Sequence, residues 1–211
     1  MKFKFLTIAL LFISISLSAQ QFLGVLSYST AYGTGNTGDF MNTGDIASDI
    51  SFTGFMFEGR SFTNRHWTFG GTFGWNTFDS QLNELIHIEK DDKVADIQGA
   101  QVRYINSFPM MVNGHFYFFK RKAFIRPFIG LNVGLYYITQ RFQIGIYEAN
   151  ESNWHFGFAP EAGILLPVGD VGIMFNAKYN YALSAGQPLG NGTDNSHSYM
   201  TFNIGLVFYS Y

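Results

Sequence analysis

The sequence predicts an all-β protein, an eight-stranded antiparallel up-and-down barrel that crosses a membrane. Three observations predict it. Apolar residues recur with period two along most of the chain, which is the signature of strands with one buried or lipid-facing side. The complementary positions are Gly, Asn, Thr and Ser with a few single charges, whereas the solvent face of a soluble sandwich would be heavily charged. Short and long connections alternate strictly, as they do in barrels with tight turns at one rim and larger loops at the other.

The stretch from Phe124 to Ile138 shows the pattern best. One parity reads Ile125, Pro127, Ile129, Leu131, Val133, Leu135, Tyr137; the other reads Arg126, Phe128, Gly130, Asn132, Gly134, Tyr136. The first set suits hydrocarbon and the second suits a narrow interior. Pro127 has no N–H for a sheet ladder, so it marks a strand start or a bulge. Tyr136 and Tyr137 are expected near an interface, where amphipathic rings are favoured. The same split recurs from Trp67, Trp154, Val171 and Met200. Gln101–Phe119 and Ser51–Ser61 alternate less cleanly, and Phe22–Gly33 leaves its register open. Thr63–His66, Lys120–Ala123 and Pro167–Asp170 read as tight turns. Residues 34–48, 78–98, 139–152 and 185–196 read as long polar loops, and "NELIHIEKDDKVADI" within the second is itself a candidate hairpin above the membrane.

Composition agrees. Charged residues are 13% and aromatics 18%, with 24 Phe and 12 Tyr in 211 residues. Ordinary soluble domains carry about 25% charge, and one domain of this length lacks the core volume for so many rings. Residues 1–19 have a basic start (Lys2, Lys4), an apolar run from Phe5 to Leu17 and small residues at Ser18–Ala19. That is the pattern of a secretory signal peptide, which leaves 20–211 as the barrel domain. Loss of Lys2 and Lys4 reduces the 13 Lys and Arg to 11 against 15 Asp and Glu, a formal charge of −4. Nucleic-acid binding is not expected from such a balance. There is no Cys, which excludes disulfides and thiolate chemistry.

Few residues point to chemistry. The interior parity carries Glu58, Arg60, Arg103, Arg126, Glu161 and Lys178, and counting across the Pro167–Asp170 turn puts Glu161 beside Asn176 and Lys178. Unpaired charges in a narrow interior are costly, so these are expected to pair as a lumen network that is structural or gating. Most acids fall in the long loops, without the spacing of a calcium loop. The five histidines are scattered without metal-ligand spacing. "GTGNTG" at 33–38 does not open a helix and reads as loop, not as a phosphate cradle. His197 and Ser198 are adjacent and so face opposite ways on a strand, which speaks against a His-x-Ser lipid-modifying enzyme. No cofactor or metal is expected.

The segments "VRYINSFPMMVNGHFYFF" and "FIRPFIGLNVGLYY", joined by a basic turn, resemble the outer-membrane-protein β-barrel domain family, whose wider group includes the small OmpA/OmpX-type and OmpW-type barrels. The chain end "NIGLVFYSY" is similar to the signal read by the barrel-assembly machinery, with Asn203, Gly205, Phe208 and Tyr211 in the matching positions and Ser210 departing from the pattern. The resemblance implies an integral protein of the cell outer membrane, surrounded by lipid and lipopolysaccharide and inserted by that machinery. It also implies a non-enzymatic role, structural or exerted through outer loops whose ligand is unassigned. The alternatives are a narrow OmpW-like passage for small or hydrophobic solutes and, disfavoured, a lipid A-modifying barrel enzyme.

Overall fold

In the computed structural model the described residues are 22–41, 50–90, 93–120, 123–186 and 194–210, with the backbone alone described for 82–90 and 93–100. The expected signal peptide, residues 1–19, and Tyr211 lie outside them. The elements are β1 (Phe22–Thr34), α1 (Gly35–Met41), β2 (Ile50–Ser51), β3 (Gly54–Phe62), β4 (Trp67–Lys90), β5 (Lys93–Tyr117), β6 (Arg126–Ile144), β7 (Tyr147–Val168), β8 (Val171–Ala182) and β9 (His197–Ser210). β1 pairs with β3 and β9, every other neighbour is consecutive, and all pairs are antiparallel. The result is a closed, eight-stranded up-and-down barrel. The two-residue β2 is the outer end of the β3 strand, set off by a one-residue slip. Tyr28 pairs with Phe55, but Ala31 pairs with Ser51, so the stretch leading into β3 has one residue too many, which is a β-bulge.

Closure answers the requirement that every backbone amide in hydrocarbon be paired within the protein. The seam is long, since β1 and β9 are in register from Phe22↔Ser210 to Thr34↔Ser198. Registered partners traced once round the wall lead from Gly24 through Gly59, Gly71, Val112, Val133, Phe158, Tyr181 and Ser198 to Thr34, ten residues along β1 from the start. That shear on eight strands corresponds to a tilt of ~40° and an interior wide enough only for side chains.

The facing follows the parity of the sequence. Leu131, Ile129 and Leu135 are exposed on the outer wall, while Arg126, Phe128, Asn132 and Tyr136 are buried in the lumen. β1, whose register the sequence leaves open, turns Leu23, Val25, Ser27 and Ser29 inward and Phe22, Leu26 and Tyr28 outward. Aromatic rings bracket the apolar wall. At the end with long loops a chain of rings crosses four strands, Trp75–Phe108–Tyr137–Trp154, with centroids 6.5, 6.4 and 5.0 Å apart. At the other end Trp67, Phe116 and Phe118 cluster. The eight-residue step from Trp67 to Trp75 rises about 20 Å along the barrel axis, close to the apolar band of such barrels.

Four expectations need correction. The 33–38 segment does open a helix, α1, which buries Thr37 and Met41; Gly35, at φ 51°, turns the chain inward at the end of β1. Residues 139–152 are not an irregular loop, because β6 and β7 stay paired to Ile144↔Tyr147. Gly145, at φ 56°, closes that hairpin. Tyr136 lies in the lumen, fully buried, and only Tyr137 joins the outer belt of rings. The basic connection between β5 and β6 is wider than a tight turn, since β5 ends at Tyr117 and β6 begins at Arg126. Pro127 is then the second residue of its strand, and its register with β7 is unbroken. The Asn83–Ile97 segment is a hairpin, with β4 and β5 paired as far as Lys90↔Lys93.

The facing predicts a positional test. Arg in place of Leu131 should destabilise the refolded barrel in lipid by about 2–4 kcal/mol, as charge at a lipid-facing midplane does. Arg at Asn132 should act through lumen packing instead. Urea unfolding in vesicles reads both, and equal tolerance at 131 and 132 would contradict the assignment.

Candidate functional site: a layered lumen

The lumen is filled in three layers. At the short-turn end lies an apolar cluster of Leu23, Val25, Phe62, Tyr117, Phe128, Leu165, Met174 and Val207. At the long-loop end lies a second, which includes Met41, Phe78, Ile105, Tyr136, Ile138 and Tyr199, with Phe40 of α1 packed against it. Between them is an ionic layer.

Each charge in that layer is placed by strand register. Glu58 and Arg60 are two residues apart on β3 and so share the inner face. Glu161 on β7 is directly opposite Lys178 on β8 and one strand from Gly130 on β6, which in turn pairs with His115 on β5. Gly130 leaves the space that the imidazole fills, since a Cβ there would come within 2.2 Å of His115 Cδ2. Arg60 Nη2 lies 2.5 Å from Glu58 Oε2 and 2.8 Å from Glu161 Oε1, bridging the two acids. Lys178 Nζ bridges them again, 2.5 Å from Glu58 Oε1 and 3.1 Å from Glu161 Oε2. Arg60 Nη1 donates to Tyr117 Oη at 3.0 Å. Asn132 Nδ2 and Asn176 Nδ2 donate to Glu161 at 3.1 and 2.5 Å, and His115 Nε2 is 3.1 Å from Oε2 of the same residue. All four carboxylate oxygens are engaged, and two acids meet two cations. Removing such charges from water is expensive, and only complete pairing with added hydrogen bonds offsets the cost.

Glu58, His115 and Glu161 also bring potential metal-ligand atoms within 4.8 Å of one another. The three come from β3, β5 and β7, so no local spacing in the sequence could show them together. Arg60 and Lys178 already occupy the carboxylate oxygens, which makes this a charge network and not a vacant ligand set.

The sequence-predicted lumen charges therefore separate. Glu58, Arg60, Glu161 and Lys178 converge. Arg126 sits nearer the short-turn end, its guanidinium over the rings of Phe62 and Tyr117 at 5.1 and 4.7 Å. Arg103 is twelve residues along β5 from His115, at the long-loop end, where Nη1 donates to the Phe40 carbonyl at 2.7 Å. It holds α1 instead of an acid in the layer. His115 and Tyr117, which no motif singles out, also join the network; their shared inward parity on β5 is the signal that could have found them. Asn203 and Gly205 of the chain-end motif face the lumen, and Phe208 faces outward at half exposure.

α1 closes the long-loop end. Thr37 Oγ1 lies 3.2 Å from His197 Nδ1 and accepts from the Ser198 amide at 3.2 Å. Gln140 Nε2 lies 2.8 Å from the other nitrogen of His197 and donates to Asn195 Oδ1 at 2.7 Å. Ser198 Oγ donates to the Thr34 carbonyl at 2.8 Å. Above this rim, the Ser196 hydroxyl foremost, helped by Ser184 and Asn36, holds the Asp194 carboxyl below its usual range. On the β6–β7 hairpin the Asn150 amide and then Arg141 do the same for Glu148.

No protein-family model matches the chain, and no curated protein matches it. Among solved structures it is similar to Ail, the attachment invasion locus protein of Yersinia pestis. The form in complex with the heparin analogue sucrose octasulfate has a TM-score of 0.55 at 12% identity, covering 90% of this chain and 98% of that one. A second Ail structure gives 0.53 at 11% over the same shares. Neisserial surface protein A follows with 0.47 at 9%, over 89% of this chain and 96% of that one. At such identity the likeness shows the fold, that of a small outer-membrane barrel.

The network predicts a non-additive stability pattern. Lys178→Met alone leaves the two acids facing each other through one cation and should cost about 3–5 kcal/mol, whereas adding Glu58→Gln should recover part of that. Arg141→Ala, which breaks the exposed 2.7 Å pair with Glu148, should leave stability almost unchanged, because solvent screens such a pair. Denaturant unfolding of the refolded variants checks the order; an additive double mutant would contradict the coupling.

Proposed function

We propose that this chain is a non-enzymatic integral protein of the outer membrane that acts through what it presents above the bilayer, with its lumen as scaffold. The observation that carries this reading is the sealing of the lumen. An ionic layer lies between two apolar layers, and α1 covers the long-loop end. Beyond the belt of rings two hairpins rise, β4–β5 to Lys90↔Lys93 and β6–β7 to Ile144↔Tyr147. The second ends in exposed Ile146 and Tyr147, the first of them 92% exposed. The leader, the outward apolar wall and the motif ending in Phe208 and Tyr211 support export and insertion by the assembly machinery, with lipid and lipopolysaccharide as surroundings.

The narrow-passage reading needs a continuous path that these layers fill. The lipid-modifying reading needs an activated serine, and Ser198 instead gives its proton to a backbone carbonyl. The Ail likeness does not bring a sulfated ligand here, because the long loops of this chain are rich in acids, which repel polyanions.

Planar-bilayer recording of the folded, heat-modifiable protein tests the reading. It should show no steady conductance, and Met41→Ser, which loosens only the outer seal, should not create any. Steady conductance of the unaltered protein that changes with Glu161→Gln would make the lumen a pathway and its ion pairs a gate.

A further inference from the structure

The glycines of the barrel fall into two kinds. Those facing the lumen have no room for a side chain: a Cβ at Gly70 would come within 1.7 Å of the Gly59 carbonyl oxygen, and one at Gly134 within 2.3 Å of that of Met110. Close packing inside the barrel demands them. Gly24 and Gly71 are different. They face outward, in one registered row with Gly59 across three strands. The nearest atom to an added Cβ is 3.7 Å away at Gly24 and 3.5 Å away at Gly71. The Phe22 ring lies over Gly59 and reaches Gly24, with 3.1 Å from its Cζ to a Cβ placed at Gly59. Among the described residues, however, no side chain lies within 4 Å of a Cβ placed at Gly71, although the surrounding wall is built of large rings.

That space is a groove of about 990 Å³ on the lipid-facing wall. Gly71 floors it, and its sides are Trp67, Phe22, whose ring lies over Gly59, and Phe69, whose ring lies over Gly114. Trp67 and Phe69 lie nearly parallel, 6.3 Å apart, and keep the sides upright. A second hollow shares Phe22, Gly59, Gly71 and Val112 and continues towards Met110 and Leu135. The groove thus runs from mid-wall to Thr63 in the short β3–β4 turn.

The turn at its mouth is cationic. Arg65 is exposed beside His66, which stacks on Phe116 and accepts the Tyr117 amide on its carbonyl. Three residues beyond Tyr117 stands exposed Lys120, the first of the Lys120–Arg121–Lys122 run. The only acid in the three short turns is Asp170. An apolar trough opening on a cationic turn complements one kind of molecule in a bilayer, a lipid with acyl chains and an anionic headgroup.

We infer that this groove is a binding site for one anionic phospholipid of the leaflet at the short-turn rim, with an acyl chain laid over Gly71 between the rings of Phe22 and Phe69 and the phosphate held by Arg65 and Lys120. The inference rests on the outer-membrane reading given above. A resident lipid would complete a wall whose protein surface is locally thin.

Protein extracted from outer membranes in mild detergent and titrated with phosphatidylglycerol or phosphatidylcholine, read by native mass spectrometry, tests it. One phosphatidylglycerol should stay on the barrel under conditions that strip phosphatidylcholine. Gly71→Leu, for which the backbone has room, should lower that retention about tenfold, the equivalent of about two lost methylene contacts. Arg65→Ser with Lys120→Ser, both exposed and outside the barrel packing, should abolish the preference between the two lipids. Equal retention of both lipids by the unaltered protein, or retention indifferent to Gly71→Leu, would overturn the proposal. So would a dimer that Gly71→Leu dissociates, because the groove would then belong to a second copy. Failure to recover the chain from the outer-membrane fraction would overturn both this site and the location, whereas a folded barrel recovered there without bound lipid would overturn the site alone.

Discussion

Glu58 and Glu161 sit in the middle of a tube too narrow to hydrate them, and much of the interior is arranged around that constraint. Neither acid can be satisfied from its own strand. Glu161 needs Lys178 from β8, Arg60 from β3, His115 from β5, Asn132 from β6 and Asn176 from β8. The network therefore forms only when the sheet has closed in the correct register. A slip of one residue on any of these strands would send its partner to the lipid face and leave a buried charge uncompensated. The ion pairs contribute little net energy over an apolar filling, but they penalise every wrong closure heavily.

The two apolar layers make this constraint stricter. They separate the charges from water at both ends, and α1 adds a lid whose links to His197 and Ser198 on β9 and to Arg103 on β5 come from two distant parts of the chain. A packed lumen of this kind is a rigid support. Its rigidity would suit the role proposed for the exposed hairpins above the rim, because a binding loop held on a fixed scaffold loses less entropy on contact.

The wall was legible in the sequence because period two maps directly onto facing. Phe124–Ile138 divided correctly at every residue that the structure places in β6, as did the runs from Trp67, Trp154 and Met200. Glu161 beside Lys178 was legible because a tight hairpin fixes its own register. Interactions across non-neighbouring strands were not. That Arg60 reaches from β3 to β7, or that His115 joins it, depends on closure and shear, which no local pattern encodes. Arg103 misled for the same reason, since inward parity says nothing about height along the barrel. α1 was missed because a seven-residue helix rich in Gly has almost no propensity of its own. It exists because Met41 and Phe40 find an apolar layer to enter. The β6–β7 extension was missed because Arg141, Gln143, Glu148, Asn150 and Glu151 around Gly145 give it the composition of a loop, although Phe142 and Ile144 still alternate with Arg141 and Gln143.

The central claim is that the ionic layer is sealed from water. Side-chain proton exchange by NMR of the protein in lipid bilayers tests it most directly, by following the Nε–H of Arg60 and of Arg141 after transfer to D₂O. Arg60, enclosed between two apolar layers, should keep its signal long after that of Arg141, whose side chain is half exposed on an outer hairpin, has vanished. Loss of both signals together would mean that water reaches the middle of the lumen, and the layered seal would be wrong.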